Sequence, residues 1–181
     1  MQRTSPHIRA VTVRAAVALL FATLIGSAAA VPTQAAVLSA SCTGTEDVTF
    51  DPGLTLIAKP THVTVNGNLS SCQTSAPGIT SATYREEPTD TLGCAAPVVP
   101  GTGTRTYRWN AHDVTSTLTY TRTVSNVGGA IVVTYTGTIT SGLFNGHTAT
   151  QIITQTPPNP LLCATEEGIT ATSGPVTLAI V

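Results

Sequence analysis

The chain has 181 residues, of which 9% are charged and 41% hydrophobic, and its formal net charge is −1 at pH 7. This low charge excludes a nucleic-acid binder of the basic-patch kind, because neutralising phosphates requires clustered Lys and Arg. It also excludes a coiled coil, and the many β-branched residues are the opposite of a disordered composition. The length predicts one folded domain, or at most two small ones.

Residues 1–30 have the three regions of a secretory signal peptide. Three arginines within the first fourteen residues precede an apolar run over 15–25, and small residues lead to a cleavage point after Ala30, with Ala35 as the alternative. The apolar run is shorter than the ~20 residues that a transmembrane helix needs. We therefore expect export by the general secretory route and a secreted domain over 31–181 without a membrane span.

Apolar and polar residues alternate with period two along the exported segment, which predicts strands. The clearest pattern is a hairpin, in which residues 114–124 and 130–140 alternate and residues 125–129 supply the turn. Threonine occupies every odd position from 115 to 123. Further strands are predicted, in chain order, at residues 47–50, 55–58, 62–69, 79–85, 105–109, 148–154 and 176–180.

Nine predicted strands with Gly, Pro and Asn turns between them indicate an all-β fold. We expect two antiparallel sheets packed face to face as an Ig-like sandwich, because a single half-apolar sheet would leave its inner face in water.

All four cysteines, Cys42, Cys72, Cys94 and Cys163, lie in the segment predicted to be exported. An even number of cysteines in an oxidising compartment predicts two disulfides. Their spacings of 30, 22 and 69 residues fit no zinc site and contain no C-x-x-C motif, so we expect no metal and no cofactor. Three pairings are possible, and we favour Cys42 with Cys72 and Cys94 with Cys163, which would staple each end of the domain.

Few groups in the exported segment suit catalysis. His112 precedes Asp113, but adjacent strand residues point to opposite faces. Three acidic pairs are present, and two facing carboxylates would serve a glycosidase; we expect instead that each pair is solvated. These pairs are Glu46 with Asp47, Glu86 with Glu87, and Glu166 with Glu167. We therefore predict a protein without enzymatic activity, with a secreted hydrolase that uses a His/Asp or carboxylate site as an alternative.

A candidate binding surface is formed by Tyr107, Arg108 and Trp109. These residue types are enriched in the hot spots of protein interfaces, and sugars also stack on Trp. Packing in the core is the competing interpretation of Trp109. We expect a protein that binds a secreted or cell-surface protein or a glycan, and a carbohydrate-binding module is a further alternative.

Four short segments carry a family resemblance: SCTGT at 41–45, TFDPGLT at 49–55, TITSGLF at 138–144 and LLC at 161–163. On these turn and cysteine markers the chain resembles small secreted Ig-like β-sandwich proteins of actinobacteria. The resemblance implies secretion and a sandwich fold, and it implies no catalytic residues. A more distant resemblance, to the small linking subunit of actinobacterial umbrella toxin particles, implies a role in joining larger subunits of a secreted assembly.

Overall fold

A computed structural model describes residues 39–111 and 113–181; the predicted signal peptide and His112 lie outside these residues. About two thirds of the described chain, 68%, lies in β-strands, and 3% is helical. Its elements are β1 (Ala40–Leu54), β2 (Lys59–Thr74), β3 (Ala82–Glu86), β4 (Thr89–Leu92), β5 (Gly101–Trp109), β6 (Thr115–Val127), β7 (Ala130–Gly142), β8 (Thr148–Gln155), α1 (Pro160–Cys163) and β9 (Ile169–Ile180).

Eight of these strands form a closed antiparallel barrel. They pair in the order β1-β9-β8-β7-β6-β5-β3-β2, and β2 pairs with β1 to close the ring. Neighbours in the ring are successive barrel strands in the sequence, apart from the β1 and β9 pair, so this is an up-and-down barrel. The short strand β4 lies outside the ring and pairs with the first residues of β2.

The expected two-sheet Ig-like sandwich, which the family resemblance also implied, is wrong. β1 pairs with β2 along one edge and with β9 along the other, so one sheet closes on itself instead of packing against a second sheet. Both architectures bury one face of every strand, and both therefore produce the same alternation of apolar and polar residues. The sequence pattern predicts strands correctly but does not distinguish a sandwich from a barrel.

The predicted hairpin is confirmed as β6 and β7, with Gly128 and Gly129 at positive φ in the turn. The predicted strand at 55–58 is wrong, because these residues form the loop between β1 and β2. β4 was not predicted, since its four residues follow Pro88 and are too few to establish an alternation.

The two disulfides join Cys42 to Cys72 and Cys94 to Cys163, which is the pairing expected from the sequence. Cys42 and Cys72 are directly opposite each other on β1 and β2. The second disulfide ties the loop after β4 to α1, at the barrel end where β1 finishes and β9 starts.

Candidate binding surfaces

The structure does not bring Tyr107, Arg108 and Trp109 to one surface. Tyr107 and Trp109 point into the barrel and are buried, whereas Arg108 is exposed on the outside. The Tyr107 hydroxyl donates to Oε1 of Gln151 at 2.5 Å, and Trp109 Nε1 donates to Oγ of Ser116 at 2.8 Å. Core packing is therefore the correct interpretation of Trp109.

Arg105 lies inside the barrel and is the centre of a polar cluster that the sequence analysis missed. Its Nε and Nη2 donate to the two carboxylate oxygens of Glu86 at 2.7 and 2.9 Å. Its guanidinium carbon lies 4.3 Å from the ring centroids of both Tyr84 and Tyr135. The available signal was its position, two and four residues before the buried Tyr107 and Trp109 and therefore on the same face of β5.

Glu46 is a second carboxylate facing the same guanidinium. Its Oε2 lies 3.5 Å from Arg105 Nη1 and accepts a hydrogen bond of 2.7 Å from the Tyr84 hydroxyl. Burial raises the pKa of Glu46, and the charge of Arg105 and the hydrogen bond from Tyr84 oppose that rise only in part, while the neighbouring charge of Glu86 adds to it. Gln151 Nε2 donates to the Tyr84 hydroxyl at 2.7 Å and extends the hydrogen-bonded network across the barrel.

Two of the three acidic pairs thus place one member each in this cluster, Glu46 and Glu86. Both carboxylates face a guanidinium, and the cavity beside them has a volume of only about 40 Å³. That volume suits one or two water molecules and is far below the ~300–1,000 Å³ of small-molecule pockets. The described interior is therefore a packed core with a polar centre.

The barrel wall has a weak join between β3 and β5. These strands pair only at Ala82 with Trp109 and at Thr83 with Arg108. Residues 101–107 of β5 pair only with β6. This part of β5 is separated by a gap from β3 and β4. We call this gap the seam. Along it lies a groove of about 380 Å³, whose lining includes Glu86, Glu87, Asp90, Thr104, Tyr120 and Arg122.

A second surface is an exposed apolar cluster at the barrel end that holds the Cys94–Cys163 disulfide. Leu56 and Ile57, in the loop between β1 and β2, are 68% and 79% exposed. Leu161 and Leu162, on α1, are 80% and 49% exposed. We call these four residues the apolar tip. The sequence analysis interpreted the first pair as part of a strand and the second as a family marker.

Among the described residues, no group of three or more His, Cys, Asp or Glu side chains is arranged to hold a metal ion. No helix within residues 39–111 and 113–181 has the length and apolar character required to cross a bilayer. Comparison of the chain with protein-family models, with curated proteins and with solved structures found no match.

Proposed function

We propose that this is a secreted binding protein without enzymatic activity, which inserts its apolar tip into a pocket of a partner protein. The observation that carries the proposal is the exposure of four large aliphatic side chains at one end of the barrel. Isolated exposed hydrophobic residues are common, whereas a cluster of them is typical of an interaction site.

The loops that carry the apolar tip are held together before any partner binds. The backbone N–H of Leu56 donates to the carbonyl of Cys163 at 3.2 Å, and that of Cys94 donates to the carbonyl of Thr55 at 2.9 Å. The Cys94–Cys163 disulfide links the same segments covalently. A surface ordered in advance loses less conformational entropy on binding, which supports a docking role.

Charge next to the apolar tip favours a protein over an anionic membrane as its target. Glu166 and Glu167 are exposed and lie three and four residues after the end of α1. Anionic headgroups would repel these carboxylates, whereas an apolar pocket with basic residues at its rim would complement them. Two disulfides are typical of proteins that fold in an oxidising compartment, which supports a secreted partner.

The test is co-purification of the secreted protein from the culture medium of the producing organism. The double substitution of Ile57→Ser and Leu161→Ser removes the two most exposed side chains of the apolar tip, and Ile152→Ser, at an exposed position on β8, is the matched control. We expect one stoichiometric partner protein with the wild type and with Ile152→Ser, and at least tenfold less with the double variant.

Three results would contradict docking by the apolar tip. The first is that the double variant retains the partner, and the second is that the wild type elutes alone. The third is that light scattering finds a dimer that the double variant abolishes, in which case the occupant is a second copy of the chain. Turnover of a hydrolase substrate by the wild type would contradict the absence of enzymatic activity.

A further inference from the structure

We propose that the seam is a second binding site, where an extended segment of a partner protein that bears Lys or Arg adds as a strand against the unpaired edge of β5. The seam is distinct from the apolar tip, so this inference does not depend on the proposed function.

The backbone groups of Thr102, Thr104 and Thr106 face the seam. Trp109 N–H donates to Val114, on the β6 side of β5, whereas Asn110 N–H donates to Ser81, on the β3 side. Backbone groups alternate sides along a strand, so even-numbered residues of β5 direct their N–H and C=O towards β3. Between residues 101 and 107, no strand of the described chain pairs with this edge of β5.

An unpaired strand edge is the feature that peptide-binding domains use for strand addition. A strand added there would displace no backbone ladder, because β5 is joined across the seam by side chains alone. Arg105 pairs with Glu86 there, and Arg122 Nη2 lies 3.5 Å from Asp90 Oδ2.

Two polar side chains at the groove have unused hydrogen-bonding groups. Tyr120 is only 8% exposed, and its hydroxyl makes no hydrogen bond to a described residue. Arg122 Nε is buried and has no partner within the described part of the chain. Both groups are donors, and carbonyl oxygens of an added strand would satisfy them.

The acidic side chains at the groove favour an added segment that carries Lys or Arg. Three carboxylates, those of Glu86, Glu87 and Asp90, line the groove together with a single arginine, Arg122. Glu87 is half-exposed and pairs with Arg85 on the surface, where ion pairs are weak and readily exchanged. Glu86 and Asp90 are held by Arg105 and Arg122, so Glu87 is the carboxylate at the groove that a Lys or Arg of the added strand can reach.

The probe is a synthetic acetylated and amidated peptide that alternates Thr and Lys over seven residues, titrated into the folded protein at low salt and followed by NMR. We expect chemical-shift changes centred on Thr102, Thr104 and Thr106, and slower amide exchange at these residues when the peptide is bound. A matched peptide that alternates Thr and Glu should bind at least tenfold more weakly.

Thr104→Pro removes one N–H that faces the seam and leaves pairing with β6 intact, since Pro is tolerated at a strand edge. It should weaken binding of the Lys peptide at least tenfold, whereas Thr104→Val, which retains the N–H, should change it less than threefold. The apolar-tip double variant should bind the peptide like the wild type, which separates failure at the seam from failure at the tip.

The proposal is overturned if no shift changes occur up to millimolar peptide, if the Glu peptide binds as well as the Lys peptide, or if Thr104→Pro binds normally. It is also overturned if the amides of Thr102, Thr104 and Thr106 are protected from exchange in the free protein. Circular dichroism of Thr104→Pro confirms that the variant is folded before its binding is judged.

Discussion

Arg105 carries a charge into the barrel, and the surrounding side chains offset the cost of removing that charge from water. A bidentate pair with Glu86 neutralises it, and two tyrosine rings lie against the guanidinium plane. Such stacking contributes about 0.5–2 kcal/mol per contact. Glu46 adds a second carboxylate beside the single guanidinium of Arg105. Because two carboxylates face one positive charge, we expect the stability of the fold to depend on pH.

The first residue-scale prediction concerns Glu46→Gln, which still accepts the hydrogen bond from Tyr84 but cannot ionise. Because burial raises the pKa of Glu46 in the folded protein, the folded state binds more protons than the unfolded state above pH ~4.5. The free energy of unfolding of the wild type should therefore fall relative to the variant as pH rises from about 4.5 to 7.

Urea unfolding at a series of pH values measures this difference. Glu167→Gln, at an exposed position before β9, controls for the change in net charge. Parallel stability curves for the wild type and Glu46→Gln would show that the pKa of Glu46 is not raised in the folded protein.

At the scale of elements, the two disulfides have different structural roles. Cys42–Cys72 links strands that are already paired, whereas Cys94–Cys163 links the loop after β4 to α1, two segments that share few backbone hydrogen bonds. Loss of either should destabilise the fold, by up to about 4 kcal/mol in the loop-entropy account. Only the second bond holds the apolar tip in place.

We therefore predict that replacing Cys94 and Cys163 with Ser raises amide exchange over residues 55–57 and 160–163 and weakens partner capture. Replacing Cys42 and Cys72 with Ser should lower the melting temperature but leave exchange at the apolar tip unchanged, because the backbone pairing of β1 with β2 persists. Hydrogen exchange by mass spectrometry compares the two variants. Equal exchange at the apolar tip in both would refute the assignment.

For the whole molecule, ionisation of the tyrosine side chains reports whether the barrel is intact. All four tyrosines, Tyr84, Tyr107, Tyr120 and Tyr135, are buried at inward positions. Burial raises the pKa of each phenol, and that of Tyr120 rises to about 12. In the unfolded chain the phenols titrate near pH 10, so the folded state retains protons that the unfolded state releases.

We predict that the folded protein develops no tyrosinate absorbance up to about pH 11, and that the signal then appears together with unfolding, since rising alkalinity favours the unfolded state. Alkaline titration followed in parallel by ultraviolet absorbance and circular dichroism tests this. A tyrosinate signal near pH 10 with an intact dichroism spectrum would show that at least one phenol is exposed.

Local features of the fold were predictable from the sequence, and features that depend on distant residues were not. The β6 and β7 hairpin follows from alternating Thr and a Gly pair within a short segment. Leu56 and Ile57 have strand-forming composition, but the distant Cys163 holds them in a loop. The position of Arg105 on β5 was enough to predict that it faces inward, although that prediction was not made. Its two carboxylate partners come from β1 and β3, and nothing in the sequence near Arg105 indicates them.

Closure of the barrel by β1 and β9 has a consequence for the order of folding. β1 and β2 are adjacent in sequence and are able to pair early, but the other edge of β1 waits for residues 169–180. Contacts between segments so far apart in sequence form slowly. One edge of β1 therefore stays unpaired and exposed to other chains until β9 pairs with it. We expect this protein to be most prone to aggregation in the period before the barrel closes.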